Sequence, residues 1–231
     1  MPSANVPATS GTTVITIDGP AGAGKSTVAK ALAGRLGFSY LDTGAMYRAL
    51  TLKALRRKMD LTDEDALVRL ARETEIDLKG NPASGLKVYL DGEDVSAEIR
   101  TLEVTNNTYY IARASKVREI LVSWQQAIGR KTDIVVEGRD AGTVIFPKAT
   151  RKFYLDADVD ERLQRRLKEL VAKGQAVEAE KLRREIIDRD QKDLTRKAGP
   201  LLKAEDAVLI DSTRLTVDQV VGKMLEHLRR S

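Results

Sequence analysis

"VITIDGPAGAGKSTVAKALAGRL", residues 14–36, governs how the rest of the chain is read. Val14–Asp18 is a short β-branched run with the composition of a strand. Gly19–Gly24 holds three glycines in six residues, and Lys25–Leu36 has the apolar spacing of an amphipathic helix. The middle stretch, Gly19–Ser26, fits G-x-x-x-x-G-K-[ST]. Glycines let the backbone curl so that successive N–H groups point inward at phosphate oxygens. The helix starting near Lys25 adds its positive N-terminal end. Lys25 can reach β- and γ-phosphates, and the Ser26 hydroxyl can ligate Mg²⁺. Thr27 adds a donor near the α-phosphate. Gly19, Pro20, Ala21, Gly22, Ala23, Gly24, Lys25, Ser26 and Thr27 are therefore the expected ATP–Mg²⁺ cradle, with Ser26 on the metal. A bare glycine turn would need no Lys-Ser pair directly after its last glycine.

Outward from this unit, strands and helices alternate. "FSYLD" (38–42) reads as a second strand and is followed by a helical stretch from about Ala45 to Lys58. "TDEDALVRLARET" (62–74) opens with Thr62 and carries Asp65 three residues on, a helix-capping signal. The pattern then changes. "EIDLKGNPASGLKVYLDGEDVS" (75–96) reads as two or three short strands joined by "GNPASG" and "DG" turns, an antiparallel hairpin signature set into an inserted subdomain of roughly 61–108. A helix over Ser115–Gly129 follows, then two apolar strands, "DIVVEG" and "KFYLDA". Asp158 and Glu161 begin a long charged helical region reaching Lys197, broken near Gly174. "AVLIDS" is the last strand, and Thr216 with Gln219 opens the final helix. Such alternation implies an α/β fold with a doubly wound parallel sheet. Residues 1–12 are expected to be a flexible tail, and 13–231 a single domain.

Composition excludes several chemistries. The chain has no cysteine and a single histidine, His227, which removes thiolate chemistry and multi-histidine metal sites. His227 closes a helix and reads as structural. With aromatic residues at only 4% of 231, the core must be largely aliphatic. The net charge of +5 suits an anionic partner without choosing one. No apolar run approaches membrane-spanning length, and the start lacks the pattern of a signal peptide, so a cytoplasmic location without a membrane partner is expected.

Two further stretches narrow the class. No Asn-Lys-x-Asp tetrad supports a regulatory GTPase. "LDTGAMYR" (41–48) and "VVEGRDAGTVIFP" (135–147) both follow strands, and so lie where α/β sheets bind ligands. In "RDQKDLTR" (189–196), Arg189, Lys192, Asp193 and Arg196 fall on one helical face, which taken alone reads as an ordinary solvated surface.

In this order and spacing, "GPAGAGKST", "LDTGAMYR", "GEDVSAEIRT", "VVEGRDAGTVIFP" and "RDQKDLTR" resemble the bacterial cytidylate kinases of the nucleoside monophosphate kinase superfamily. The likeness runs from about Val14 to the last helix. It implies a P-loop kinase with an inserted α+β monophosphate-binding subdomain at about 43–112 and a helical lid at about 158–198. It also implies ATP-dependent phosphorylation of CMP and dCMP to CDP and dCDP by a monomer. Carried over residue by residue, Thr43, Tyr47 and Arg48 face the acceptor, with Arg48 on its phosphate. Arg139 holds the same phosphate, Asp140 reads the cytosine amino group, and Arg118 contacts the base. Arg100 lines the acceptor side, Arg189 and Asp193 meet the sugar, and Arg196 reaches phosphate. Lys25, Arg139, Arg189 and Arg196 form the expected catalytic set. Tyr109 stands where the family pattern leads one to expect a small hydroxyl residue at the base. Two alternatives stay open: a P-loop kinase of another small acceptor, such as a different monophosphate or shikimate, and a basic nucleic-acid-binding protein using Arg162–Arg196. Acidic residues interleaved through that region weaken the second, so no nucleic-acid partner is expected.

Overall fold

The computed structural model describes residues 11–81, 85–172, 174 and 178–229. Five parallel strands form the main sheet, in the order β2 (Ser39–Asp42), β6 (Ile134–Gly138), β1 (Val14–Asp18), β7 (Arg151–Asp156) and β8 (Val208–Asp211). Each strand ends on the same edge, so the segments after Asp18, Asp42 and Gly138 are brought together there. This is the doubly wound α/β sheet expected from the alternation.

Helices cover both faces. On one face, α1 (Lys25–Leu36) and α8 (Val217–Arg229) close over Ile15, Ile17, Phe153 and Ile210 with Val28, Leu32, Val221 and Met224. On the other, α2 (Thr43–Arg56), α3 (Glu64–Arg72), α4 (Leu102–Arg113) and α5 (Ser115–Gly129) pack Met46, Leu50, Leu67, Ile111 and Leu121 against Leu41, Ile134 and Val136. Alternate residues of each strand point to opposite faces, which is why these runs are apolar throughout rather than alternating.

A three-stranded antiparallel sheet stands apart: β3 (Ile76–Asn81), β4 (Gly85–Leu90) and β5 (Glu93–Asp94). The "DG" turn is made by Asp91 and Gly92, with φ of 49° and 88°. Both lie in the left-handed region, as a two-residue hairpin requires. The sheet shares a small core with α2 and α4 through Ala49, Leu52, Val88, Leu90, Ile99 and Val104. Part of the "GNPASG" turn, residues 82–84, lies outside the described residues.

Several local details depart from the sequence reading. α2 starts at Thr43 rather than Ala45, because the Asp42 carboxylate accepts from Ala45 N at 3.0 Å and caps it. Asp63, not Thr62, caps α3 by accepting from Ala66 N at 2.9 Å; the Thr62 hydroxyl is instead bonded to Asp60. Within the insert, α4 is a further helix, capped by Thr101. "AGTVI" (141–145) winds as a single π-helical turn. The charged region forms α6 (Val159–Ala172) and α7 (Ala179–Thr195), parted near Gly174, which has φ of 72°. At the last helix the capping box forms as written: Thr216 N donates to Gln219 Oε1 at 2.9 Å, and Gln219 N to Thr216 Oγ1 at 3.3 Å. The ring of His227 packs edge-on to Phe153, 6.5 Å between centroids. Of the expected tail, residues 1–10 lie outside the described residues, while Thr12 is already docked through its hydroxyl on Gly129 O at 2.8 Å.

Candidate active site

The glycine loop links the end of β1 to α1. Gly19 has φ of 150°, and a Cβ there would lie 1.9 Å from Leu155 O on β7. Only glycine fits that approach. Gly22 and Gly24 adopt φ of 80° and 89°, turning the chain through left-handed conformations. Donors from outside hold the loop's carbonyls: Arg162 bonds Ala21 O at 3.0 Å, while Arg165 and Ser212 bond Ala23 O at 3.2 and 3.1 Å. The N–H groups of the loop are the polar face left for an anion. Lys25 is buried at the start of α1, with Nζ donating to Pro20 O at 2.6 Å. Ser26 and Thr27 follow on the exposed side of the first turn.

Ser26 Oγ donates to Glu137 Oε2 at 2.9 Å. Glu137 is the penultimate residue of β6 and is buried; Tyr40 OH donates to its other carboxylate oxygen, and Thr43 Oγ1 to its backbone carbonyl at 2.7 Å. Burial first, and then the nearby Asp42, raise the Glu137 pKa, while Lys25 opposes them. Glu137 carries no role in the sequence reading, although an acidic residue directly after the run "DIVV" signals a carboxylate at the binding edge.

Across the edge lies a second cluster. Arg48 on α2 pairs with Asp42 at 2.7 Å, and Arg100 reaches the same carboxylate at 3.9 Å. Arg48 Nε and the Tyr47 hydroxyl are both buried without a hydrogen-bond partner among the described residues. The Arg118 guanidinium lies 5.3 Å above the Tyr47 ring and pairs with Asp140. Arg196, just past α7, extends toward Asp140 at 3.6 Å and Asp193 at 3.7 Å. Arg139 closes the chain of charges, its Nε on Asp193 Oδ2 at 2.8 Å.

Arg189 differs. It makes no ion pair among those found between described residues, and burial, followed by the adjacent Arg139, depresses its pKa to about 10; Arg48 and Arg166 act in the same direction. Lys25 is lowered by burial and then by Arg139 to about 7, with Arg189 adding to the effect. Burial alone would raise Asp193, but Arg139, Arg189 and Arg196 together carry it below the usual carboxylate range. Lys25, Arg48, Arg139, Arg166, Arg189 and Arg196, from five distant stretches of sequence, thus share one electrostatic neighbourhood.

The π-helical turn after Asp140 is fixed from below. Asp18, at the end of β1, accepts from Ala141 N at 2.8 Å and Gly142 N at 2.7 Å. Burial outweighs these bonds and raises its pKa to about 6. Tyr109 on α4 sits edge-on to Tyr110, and Lys192 of α7 holds its ammonium 5.7 Å above the Tyr109 ring, joining α4 to α7. Of the arginines singled out from sequence, Arg100 is the most peripheral, with 46% of its side chain exposed.

A loop shaped for a polyphosphate and a nest of guanidinium groups face one another across the carboxyl edge of a parallel sheet, the architecture of a P-loop α/β kinase. Within that class, the chain belongs to the cytidylate kinase family, whose model matches residues 15–230. It is 51% identical over 216 residues to the cytidylate kinase of Desulforamulus reducens, covering 94% of this chain and 96% of that one. Against the cytidylate kinase of Caldanaerobacter subterraneus subsp. tengcongensis it is 49% identical over 220 residues, 95% of this chain and 96% of the relative. Among solved structures, a shikimate kinase from Bacteroides thetaiotaomicron superposes with a TM-score of 0.48 at 14% identity, covering 94% of this chain and 98% of that one.

Within the basic stretch 162–196, four arginines have acidic partners. Arg162 pairs with Asp190 at 2.5 Å, Arg165 with Glu161 at 2.9 Å, Arg166 with Glu169 at 2.6 Å, and Arg183 with Asp160. Among the described residues, no helix is long and apolar enough to cross a membrane.

Proposed function

We propose that the enzyme transfers the γ-phosphoryl group of ATP to CMP and dCMP, releasing ADP and CDP or dCDP. The carrying observation is the convergence of Arg139 and Arg189 beside Lys25, with Arg196 joining them at Asp193 and Arg48 near Arg189, and with the Tyr47 hydroxyl and Arg48 Nε left as buried donors without a partner among the described residues. A buried donor without a partner costs on the order of 1–3 kcal/mol, a deficit that an acceptor phosphate or ribose would remove.

In this reading an oxygen of the acceptor phosphate attacks the γ-phosphorus, and the bond to the β–γ bridging oxygen breaks. No strong general base is needed, because the nucleophile is already an anionic oxygen. Two nucleotides repel until cations intervene, so the chain's contribution is positioning and charge neutralisation. Arginine forks suit that task through bidentate, permanently charged contacts. Lys25 lies between donor and acceptor, Arg48 and Arg139 bind the acceptor phosphate, and Arg196 supports the transferring group. Arg118 and Asp140 read the base, Arg189 and Asp193 the sugar, with Thr43 and Arg100 lining the pocket. On this reading the ATP base takes the open depression lined by Asp158, Thr213, Arg214 and Leu215, next in sequence to Ser212, whose hydroxyl donates to Ala23 O of the loop.

Mg²⁺ fits the oxygen donors present. It favours few protein ligands and keeps its waters and the substrate phosphates; the Ser26 hydroxyl would hold it directly and Glu137 through its waters. Bound there, it neutralises charge on the β- and γ-phosphates. Residues 43–112 form the monophosphate-binding insert and 158–198 the lid that excludes water. On this reading the enzyme acts as a monomer.

The test is a panel of nucleoside monophosphates with ATP–Mg²⁺, scored by ADP release. CMP and dCMP are expected to give the highest turnover. If CMP gives no ADP above the blank while another acceptor does, the substrate assignment is wrong.

A further inference from the structure

Glu137 has to keep an oxygen aimed at Ser26 from the end of a side chain with three rotatable bonds. Its surroundings work against this. Glu137 pairs in register with Asp42 on β2, so two carboxyl-bearing residues lie side by side at the sheet edge, and the Glu137 side chain is buried. An unheld carboxylate would swing away from its like-charged neighbour.

Tyr40 prevents that. Two residues before Asp42 on the same strand, it is 7% exposed and packs in the core between α1 and the sheet. Its ring faces Lys30, whose ammonium lies 5.6 Å from the centroid, and its hydroxyl donates to Glu137 Oε1. With Oε1 held from β2, Oε2 is presented to Ser26 Oγ at 2.9 Å. Thr43 Oγ1 fixes the backbone of the same residue. A phenol suits this position: it is a rigid donor with an apolar body and, unlike lysine or arginine, it brings no charge that would compete with the metal for the carboxylate.

We propose that Tyr40 is a positioning residue for phosphoryl transfer, its hydroxyl locking the Glu137 carboxylate in the orientation that serves the cation at Ser26. This rests on the reading of Ser26 and Glu137 as the metal side of the site, and the experiment separates the two. Mn²⁺, as a probe for Mg²⁺, is titrated by electron paramagnetic resonance into the full-length enzyme with saturating ADP, for wild type, Tyr40→Phe and Glu137→Gln. Phenylalanine keeps the ring in its apolar niche and removes only the donor. Tyr40→Phe is expected to weaken Mn²⁺ binding about ten-fold, the usual scale for losing an outer partner of a ligand. The Mg²⁺ concentration for half-maximal turnover should rise in parallel, with metal-free CMP binding unchanged. If Glu137→Gln weakens Mn²⁺ and Tyr40→Phe does not, the role of Tyr40 is refuted, even if its melting temperature falls. If Glu137→Gln binds Mn²⁺ like wild type, the metal reading itself is wrong and the role of Tyr40 goes with it.

Discussion

Lys25 and Arg189 are held at an electrostatic disadvantage by the folded chain. Lys25 is buried beside Arg139, and the half-buried Arg189 lies near Arg139, Arg48 and Arg166, with Asp193 opposing them. Arg189→Ala should therefore raise the melting temperature of the nucleotide-free enzyme while raising the CMP KM; thermal scans and steady-state kinetics on the same preparation check both. Arg196→Ala behaves differently, because Arg196 is countered by Asp140 and Asp193. It should lower stability and cut kcat, with the transition state losing on the order of 2–4 kcal/mol. For Lys25 the sign of its shift makes a further prediction. Its depressed pKa of about 7 means the free site is partly unprotonated at neutral pH, and a triphosphate beside it will draw a proton in. Calorimetry in buffers of different ionisation enthalpy should show net proton uptake on ATP binding, absent in Lys25→Met.

At the level of elements, the helix starts are decided by short side chains that the sequence displays openly, though not always by the one that first draws the eye. Thr216 and Gln219 form their reciprocal box, whereas at α3 the cap passes from Thr62 to Asp63. The choice at α3 follows from Asp60, which takes the Thr62 hydroxyl and leaves Asp63 the helix N–H. Thr216→Ala should cost about 1 kcal/mol. In a chain of this size that corresponds to roughly 2–4 °C in Tm, measurable by thermal denaturation, with kcat and KM unchanged.

Across the whole molecule, Asp18 ties the two halves of the site together. It stands directly before the glycine loop, and its carboxylate holds the π-helical turn that follows Arg139 and Asp140. Its pKa is raised by burial from 3.8 to about 6, so the folded chain binds this proton more tightly than the unfolded one. The stabilisation is fully present below pH 3.8 and is lost as pH rises through about 6. The change is on the order of 3 kcal/mol. Asp18→Asn removes this titration. The difference in Tm between variant and wild type should shift in favour of the variant as pH goes from 4 to 7, and a flat difference would contradict the assignment.

Much of this was legible in the chain before any coordinates. The strand–loop–helix order of Val14–Leu36 follows from local rules: β-branched residues, glycines and a 3.6-residue period act within a few positions of one another, and the boundaries of α1 and α5 match their reading. Arg48, Arg100, Arg118, Arg139, Arg189 and Arg196 could be singled out before any coordinates only through the resemblance of their motifs to a known family. What only the tertiary structure decided is how those charges pair. Arg139 takes Asp193 from a helix 54 residues away, Arg118 takes Asp140, and Arg189, left to share the charge of Asp193, makes no ion pair of its own among the described residues. The roles of Glu137, Tyr40 and Asp18 were hidden for the same reason. Strand register and helix packing set distances of a few ångströms between residues remote in sequence, and at that range burial and neighbouring charge, rather than residue type, determine what a side chain can do.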